Sequence, residues 1–163
     1  DKAEGEEKVL PLLALLKKVQ ELEGIERIRL GSLEPRIMTE AFVKELASLA
    51  KICPHFHLSL QSGCDATLKR MNRKYTTEEY KKAVEYLRRY FDKPAVTTDI
   101  IVGFPGETDE EFNELCDFIK EAELDRFGAF TYSQEENTPA GAFEDQIDEE
   151  IKQKRYDIIM EQM

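Results

Sequence analysis

Cysteine, histidine and tryptophan are scarce in this sequence of 163 residues, which has three cysteines, two histidines and no tryptophan. The cysteines are too widely separated for the regular spacings of a disulfide framework, which fits a reducing compartment. No apolar run is long enough to cross a membrane, and no signal peptide is recognisable. We therefore expect a cytoplasmic protein with no membrane partner, and its length and 41% hydrophobic content predict a single domain, residues 1–163, with its own core.

The cysteine spacing also bears on metal binding. Iron–sulfur clusters are held by closely spaced cysteines, usually four, and at least three where one iron stays open. Cys53, Cys64 and Cys116 are separated by 11 and 52 residues. We therefore expect no metal ligands in this chain, with Cys53 and Cys116 as ordinary thiols and Cys64 as a small residue entering a helix.

Positively charged residues are also fewer than negatively charged ones. Lysine and arginine number 23 against 34 aspartates and glutamates, which leaves a net charge of −11. Phosphate contacts supply most of the affinity of proteins for nucleic acid, so a surface this acidic does not hold nucleic acid by itself. The local basic group Lys69, Arg70, Arg73 and Lys74 could touch a phosphate, but solvated charges on a helix surface are the plainer interpretation.

What the sequence does contain is a regular alternation of strand and helix patterns. The predicted strands are residues 25–32, 55–60, 95–102 and 126–132. The predicted helices are residues 7–22, 39–50, 62–71, 76–90, 108–122 and 147–162, the first with Val9 and Leu10 on its apolar face. Their predicted caps are Thr39, Ser62 with Asp65, Thr76 with Glu79, and Thr108 with Glu111. Crossovers that contain a helix join parallel strands, so we expect an α/β fold with four parallel strands in sequential order and outer helices.

The clearest motif is residues 97–108, TTDIIVGFPGET, at the end of the third predicted strand. Its apolar residues 100–102 suit a strand buried on both faces, and Gly103 and Gly106 let the backbone approach a ligand. Ligands of α/β folds bind beyond the carboxyl ends of the strands, so Asp99 and this turn lie where chemistry is expected. A well-capped strand-to-helix turn is the plainer alternative. No lysine follows the second glycine, so the turn is not a phosphate-binding P-loop.

Polar side chains also end the other predicted strands. Arg29 can pair with a ligand carboxylate, with Ser32 beside it, or else it points outward or pairs with Glu34. Gln61 offers an amide that suits a ribose or an amino acid. The hydroxyl of Ser62 suits the same ligands, although capping is the stronger role for this residue.

Histidine, aspartate and tyrosine complete the candidate set. His55 and His57 share one face of a strand, where packed, hydrogen-bonded histidines are more common than catalytic ones. An unpaired carboxylate is costly to bury, so Asp99 is expected to meet a ligand hydroxyl or a neighbouring base. Tyr132, followed by Ser133, either closes over a ligand or packs.

Four segments together resemble the radical S-adenosylmethionine methylthiotransferases over about residues 9–160: RLGSLEP, LSLQSGCDATLKRMNR, TDIIVGFPGETDEEF and FTYSQEENTPA. These enzymes insert sulfur and a methyl group into transfer RNA adenosines or a ribosomal-protein aspartate. The resemblance implies S-adenosylmethionine as cofactor and a 4Fe-4S cluster held by a CxxxCxxC motif, which this chain lacks. It also implies a TIM-like barrel of six βα units without its first two, so that the chain is the carboxyl-terminal part of the barrel.

The resemblance further implies which residues bind the cofactor. Arg29 would pair with its carboxylate, and Ile101, Gly103 and Gly106 resemble the apolar segment that supports the adenine. The full set of expected cofactor-binding residues is Arg29, Ser32, Gln61, Ser62, Asp99, Ile101, Gly103, Phe104, Gly106 and Tyr132. Catalytic residues stay unassigned, because the cofactor supplies the hard chemistry.

The substrate is open between two branches of that family. The segments around Arg29 and Gln61 look like the branch that modifies threonylcarbamoyladenosine beside the anticodon, whereas residues 126–140 look like the branch that modifies a ribosomal-protein aspartate. The acidic charge leans towards a basic protein partner, but two segments of three favour transfer RNA.

Two other hypotheses remain. The isolated chain is either an inactive half-barrel, which binds ligand weakly or self-associates through an exposed sheet edge, or a phosphate-binding barrel of the aldolase type. The second is disfavoured because no catalytic lysine lies at a strand end.

Overall fold

The computed structural model of this chain describes residues 2–162, with side chains from residue 11 onwards, so that the expected packing of Val9 and Leu10 lies outside the described side chains. Six α-helices are found in this part: α1 (Lys2–Gln20), α2 (Glu40–Ala47), α3 (Asp65–Arg70), α4 (Thr77–Tyr90), α5 (Asp109–Ala122) and α6 (Glu149–Met160). The strands are β1 (His55–His57), β2 (Ala95–Val102) and β3 (Arg126–Thr131), and two 3₁₀ turns lie at Pro35–Ile37 and Ala140–Ala142. None of the helices described combines the length and apolar character needed to span a membrane.

The strands form a three-stranded parallel sheet in the order β1-β2-β3, which confirms the predicted α/β class and sequential strand order. β1 pairs with β2 in register, with His55 opposite Ala95 and His57 opposite Thr97. Burial alternates along β2, so that one face is buried and the other half-buried. The prediction of a strand buried on both faces was therefore wrong, because only every second residue of this strand packs into the core.

The first predicted strand, residues 25–32, is not a strand in the structure. This segment makes one isolated parallel bridge, Ile28 with Ile52, and the next bridge, Leu33 with Leu58, lies just beyond it. The two bridges are five positions apart on one side and six positions apart on the other, so the two segments fall out of register between them. Pro54, which has no N–H to donate, lies within the longer side. The described part of the chain therefore contains three strands where four were expected.

Two further strands are shorter than predicted, since β1 ends at His57 rather than at residue 60 and β3 ends at Thr131 rather than at Tyr132. Beyond β1, the backbone N–H of Leu60 donates to the side-chain hydroxyl of Thr98 at 3.0 Å. A side-chain oxygen here replaces the backbone carbonyl that would continue the ladder. Regular pairing therefore stops, and it returns only as a bridge between Gln61 and Ile100.

Two of the predicted helix caps are confirmed and one is wrong, while the capping box of Thr76 with Glu79 stays a prediction. Thr39 caps α2 by accepting from the N–H of Phe42 at 3.2 Å, and Thr108 with Glu111 forms the predicted capping box of α5. The capping box of Ser62 with Asp65 was wrong, because α3 begins two residues later with Cys64 as its N-cap. Ser62 is instead buried, and its hydroxyl accepts from the N–H of Cys64 at 3.3 Å.

The chain groups into two compact units, each made of two segments. One comprises Asp1–Ser59 with Glu78–Thr97, and its core includes Phe42, Leu46, Phe56, Tyr80 and Leu87. The other comprises Leu60–Thr77 with Thr98–Met163, and its core includes Leu68, Ile100, Val102, Leu115 and Ile159. The single domain expected from the sequence stays a prediction.

An ion pair joins α3 to α5 inside the second unit. The Arg70 guanidinium donates from both terminal nitrogens to the Glu111 carboxylate, which also accepts from the Thr67 hydroxyl at 3.3 Å and from the N–H of Thr108 at 3.1 Å. The hydrogen bonds from Arg70 hold the pKa of Glu111 below its usual value. One carboxylate thus closes the first turn of α5 and fixes α3 against it.

Replacing Glu111 with glutamine should destabilise the chain by about 1.5–3 kcal/mol at neutral pH, because charge-assisted hydrogen bonds are lost. Since folding lowers the pKa of Glu111, its contribution is present above the pKa of the unfolded chain and is lost as the pH falls through the lowered folded value. Urea unfolding at about pH 7 and about pH 3 should therefore show a gap between wild type and Glu111→Gln that closes in acid. The matched exposed change Glu110→Gln should cost less than about 0.5 kcal/mol at either pH. A gap that persisted in acid would contradict the ion pair as its origin.

Candidate functional site

A cavity of about 380 Å³ lies in the second unit, at the carboxyl ends of β2 and β3. Its walls are Gln61, Asp99, Ile101, Phe130, Thr131, Tyr132 and Ser133. The structure therefore brings four of the expected cofactor-binding residues, Gln61, Asp99, Ile101 and Tyr132, into one site with Ser133. This is the position at which ligands bind in parallel α/β folds.

The alternation of side chains along β2 places Asp99 in the wall of the cavity. Asp99 and Ile101 lie on its half-buried face, whereas Thr98, Ile100 and Val102 lie on the buried face. Asp99 therefore stands at the rim of the cavity rather than inside the core, and its carboxylate avoids the full desolvation penalty. It also carries a negative charge to where a ligand hydroxyl or cation would meet it.

Gln61 adopts a left-handed backbone conformation, with φ of 68°. Its N–H donates to the carbonyl of Asp99 at 3.0 Å, and its carbonyl accepts from the N–H of Ile101 at 2.9 Å. A non-glycine residue in this region is strained, and such strain is held where the surrounding structure fixes it, frequently at binding sites. The two backbone bonds to β2 supply that constraint here.

Tyr132 forms the aromatic wall. Its ring packs edge-on against Phe104, with 5.2 Å between the ring centroids, and the Lys152 ammonium lies 5.3 Å from its ring centroid. Its hydroxyl is buried and has no hydrogen-bond partner in the described part of the chain. A buried phenol left unpaired is costly, so this oxygen is available to a ligand or a water molecule.

The two glycines of the turn after β2 are in the left-handed region, with φ of 72° at Gly103 and 76° at Gly106. A side chain at Gly103 would collide with the stem of Lys152, and one at Gly106 would collide with the Asp145 carboxylate. The N–H of Gly106 also donates to the Asp145 carbonyl at 2.9 Å. In this structure, residues from the chain's own carboxyl-terminal part make the close approach that the sequence assigned to a ligand.

Below the turn lies a buried ion pair. Glu107 Oε1 accepts from the N–H of Gly103 and from Arg155 Nη1, both at 2.9 Å, and Arg155 Nη2 donates to Asp109 at 2.9 Å. The side chains of Glu107 and Arg155 are 1% and 7% exposed. Burial raises the pKa of the Glu107 carboxyl, against the opposing effects of the Gly103 N–H and the Arg155 charge. The pair ties α6 to the turn that carries the site.

The remaining expected residues lie elsewhere. Arg29 and Ser32 belong to the other compact unit, where Arg29 Nε donates to His55 Nδ1 at 2.8 Å rather than pairing with Glu34. His57 Nδ1 lies 3.1 Å from the Thr97 hydroxyl, so both histidines are engaged in hydrogen bonds. Within the second unit, Gly103, Phe104 and Gly106 form the turn behind the cavity wall, and Ser62 is buried.

Three residues at the site were missed from the sequence: Gly128, Phe130 and Thr131. Phe130 is 55% exposed, which is unusual for a large aromatic side chain, and it lies on β3 with Gly128 two residues before it on the same face. The alternation of β3 places both on the face opposite the buried Phe127 and Ala129. That alternation could have identified Gly128 and Phe130, whereas Thr131 shares the parity of Phe127 and Ala129.

A 4Fe-4S cluster does not fit the cysteines of this chain. Cys64 and Cys116 are buried, and burial raises the pKa of both thiols, which disfavours the thiolate that binds iron. Cys53 belongs to the other unit. Among the described residues no three histidine, cysteine or acidic side chains are grouped to hold a metal ion.

A nucleoside does fit the chemistry of the cavity. Asp99 can accept hydrogen bonds from hydroxyls, Gln61 offers both donors and acceptors, and Ile101 with the aromatic side chains gives apolar surface for a planar ring.

Comparison with known proteins gives the class. Residues 4–119 match the Radical SAM superfamily, and the chain belongs to that superfamily. The fold agrees, since coproporphyrinogen III oxidase from Escherichia coli, described as a radical SAM enzyme, superposes with a TM-score of 0.68 over 99% of this chain and 36% of its own, at 19% identity.

Individual relatives match most of this chain but only part of their own length. A tRNA-2-methylthio-N(6)-dimethylallyladenosine synthase from Alkaliphilus oremlandii is 43% identical over 149 residues, which are 91% of this chain and 32% of that protein. A ribosomal protein uS12 methylthiotransferase from Bdellovibrio bacteriovorus is 46% identical over 147 residues, which are 90% of this chain and 32% of that protein. The chain thus spans about a third of the length of these relatives, and its resemblance to methylthiotransferases is confirmed.

Replacing Arg155 with methionine should destabilise the chain by about 3–5 kcal/mol, because it leaves the buried Glu107 carboxylate without its cation. Folding raises the pKa of Glu107, so stability that depends on its protonated form is present at low pH and is lost as the pH rises through the folded value. Urea unfolding should therefore give a larger loss at about pH 8 than at about pH 5. The matched change Lys154→Met removes an exposed charge one residue away and should be nearly neutral. Equal losses for the two variants would contradict the role of the ion pair.

Proposed function

We propose that the second unit of this chain holds the adenosine portion of S-adenosylmethionine in the cavity between Gln61, Asp99 and Tyr132, as part of a methylthiotransferase catalytic domain. The observation that carries the proposal is the grouping of these three side chains, from the ends of consecutive parallel segments, around one cavity. Membership of the Radical SAM superfamily supports S-adenosylmethionine as the ligand. When bound, the cofactor would supply the radical chemistry, and the residues of this chain bind and orient it.

Each wall has a distinct part in that proposal. The Asp99 carboxylate accepts hydrogen bonds from the ribose hydroxyls, and the strained Gln61 presents its amide at the adjoining edge. Ile101 and the ring of Tyr132 exclude water from the planar base. The remaining expected contact, Arg29 with the cofactor carboxylate, stays a prediction.

Replacing Asp99 with asparagine should weaken binding of S-adenosylmethionine by about tenfold or more, because a charge-assisted hydrogen bond is worth about 1.5–3 kcal/mol. Calorimetric titration of the purified chain measures the dissociation constant, and thermal unfolding checks the fold of each variant. Asp117→Asn, which removes an exposed carboxylate from α5, should leave the affinity unchanged. Unchanged affinity in Asp99→Asn, or loss of its fold, would return Asp99 to a structural role.

For the whole protein we propose methylthiolation of a tRNA adenosine next to the anticodon. The first relatives by similarity carry tRNA-2-methylthio-N(6)-dimethylallyladenosine synthase in their names, which supports RNA over protein as substrate. The sequence favoured the threonylcarbamoyladenosine branch within the tRNA-modifying enzymes, and the identity of the adenosine stays a prediction. The alternative is the aspartate of a ribosomal protein. The 46% identity to a uS12 methylthiotransferase and the net charge of −11, which suits a basic protein, favour that alternative.

A segment exchange tests the substrate. This chain should replace the matched 149 residues of the Alkaliphilus oremlandii synthase and preserve methylthiolation of tRNA, measured by mass spectrometry of tRNA nucleosides and of ribosomal protein uS12. The same exchange into the Bdellovibrio bacteriovorus enzyme is the matched control for substrate choice. We expect activity to persist in the first host and to fall in the second. Persistence only in the second host would favour the protein substrate, and a folded first chimera without methylthioadenosine would contradict the tRNA proposal.

A chain that self-associates, or that is inactive by itself, is the remaining alternative. Its support is the position of β3, which ends the sheet order β1-β2-β3 within the described residues and leaves one side of that strand without a partner strand.

A further inference from the structure

We propose that Gly128 is a positioning residue for Asp99: the missing side chain on β3 reserves the space in which the Asp99 carboxylate stands at the rim of the cavity. The inference rests on the proposed function for its ligand, but the positional claim concerns only these two residues. Nothing in the glycine's own conformation requires glycine, because its backbone is not in the left-handed region. The reason for glycine must therefore lie in the space around it.

The geometry of that space is specific. A Cβ added at Gly128 would lie 2.8 Å from Asp99 Oδ1, closer than side-chain carbons approach other atoms. The next atoms are Cε2 and Cζ of Phe130, at 3.4 and 3.7 Å, which is ordinary van der Waals contact. A methyl group at this position would therefore conflict with the Asp99 carboxylate and with no other group among the described residues.

The atom that a Cβ at Gly128 would meet lies at the far end of the short, rotatable Asp99 side chain. Asp99 is half-buried on the open face of β2, so its carboxylate can turn away without disturbing the backbone. An alanine at position 128 is therefore cheap for the fold, and it also removes backbone freedom from the unfolded chain. The change displaces an oxygen atom that the cavity presents to its ligand. Affinity should change where stability does not.

A loss of affinity without a loss of stability distinguishes a positioning role from a structural one. A glycine that is kept for close packing of backbone would cost stability when replaced, as expected for Gly63, whose added Cβ would lie 2.7 Å from Phe118 Cβ. Gly128 instead faces the end of the Asp99 side chain. A displacement of about 1 Å in a ligand-binding group is enough to lose much of its contribution.

The test is a double-mutant cycle with two readouts. Gly128→Ala, Asp99→Ala and the double variant are compared with wild type by titration with S-adenosylmethionine and by the ¹³Cγ NMR resonance of Asp99, which reports its surroundings without any ligand. Gly128→Ala should displace that resonance and weaken binding by about tenfold, equivalent to about 1.4 kcal/mol, while the midpoint of thermal unfolding stays within error of wild type. In the Asp99→Ala background the same change should leave the affinity unaltered. Gly31→Ala, at a glycine with nothing within 4 Å of an added Cβ, is the matched control.

The outcomes separate this inference from the proposed function. Equal weakening by Gly128→Ala with and without Asp99, or an unmoved ¹³Cγ resonance, overturns the positioning role. If wild type does not bind S-adenosylmethionine but the resonance is displaced in Gly128→Ala, the positioning role stands and the proposed ligand fails. If Gly128→Ala does not fold, the double variant decides: recovery of folding upholds the conflict with Asp99, and failure to recover overturns it.

Discussion

A buried ion pair, Glu107 with Arg155, is the interaction on which the site of this protein depends. Desolvating both charges is costly, and the cost is offset because Glu107 Oε1 also accepts the Gly103 N–H while Arg155 reaches Asp109 as well. The bonds fix the turn at its first glycine and at the start of α5. Because the turn is fixed, Phe104 is held against Tyr132, and Tyr132 forms a wall of the cavity. The chemistry at the strand ends thus rests on a charge pair contributed by a helix near the end of the chain.

The second constraint is which residues of β2 face the cavity and which face the core. Side chains alternate across a strand, so the residues that flank Asp99 in sequence point the other way, into the core. A shift of one residue would bury the carboxylate and expose Ile100. Three main-chain hydrogen bonds hold β2 in its register, two of them made by Gln61 and one between Tyr132 and Val102. The strained backbone of Gln61 is consistent with this role, since its unfavourable φ is held by bonds to Asp99 and Ile101, on either side of Ile100.

The sequence predicted those features that arise from local chemistry and from strand direction. The capping box of Thr108 with Glu111 follows from two residues three positions apart, and the convergence of Gln61, Asp99 and Tyr132 follows from parallel strands that end at one edge. Features that depend on distant partners could not be read from the sequence. The predicted strand at residues 25–32 is lost through a register change beside Pro54, and α3 begins after Cys64 rather than after Ser62. Lys152 and Asp145, which occupy the space beside the two glycines, come from about 40 to 50 residues further along the chain.

The net charge of this chain is compatible with the proposed ligand. A site that presents a carboxylate to a neutral or cationic ligand gains nothing from a basic surface, so a net charge of −11 is compatible with binding S-adenosylmethionine, whose sulfonium is positive. The same charge opposes RNA binding by these residues alone. Since the relatives named for tRNA are about three times as long as this chain, their names describe proteins in which other residues can supply the phosphate contacts. Ligand binding in the pocket and contact with nucleic acid can therefore be assigned to different residues, and the acidic composition argues against phosphate contacts only for the residues of this chain.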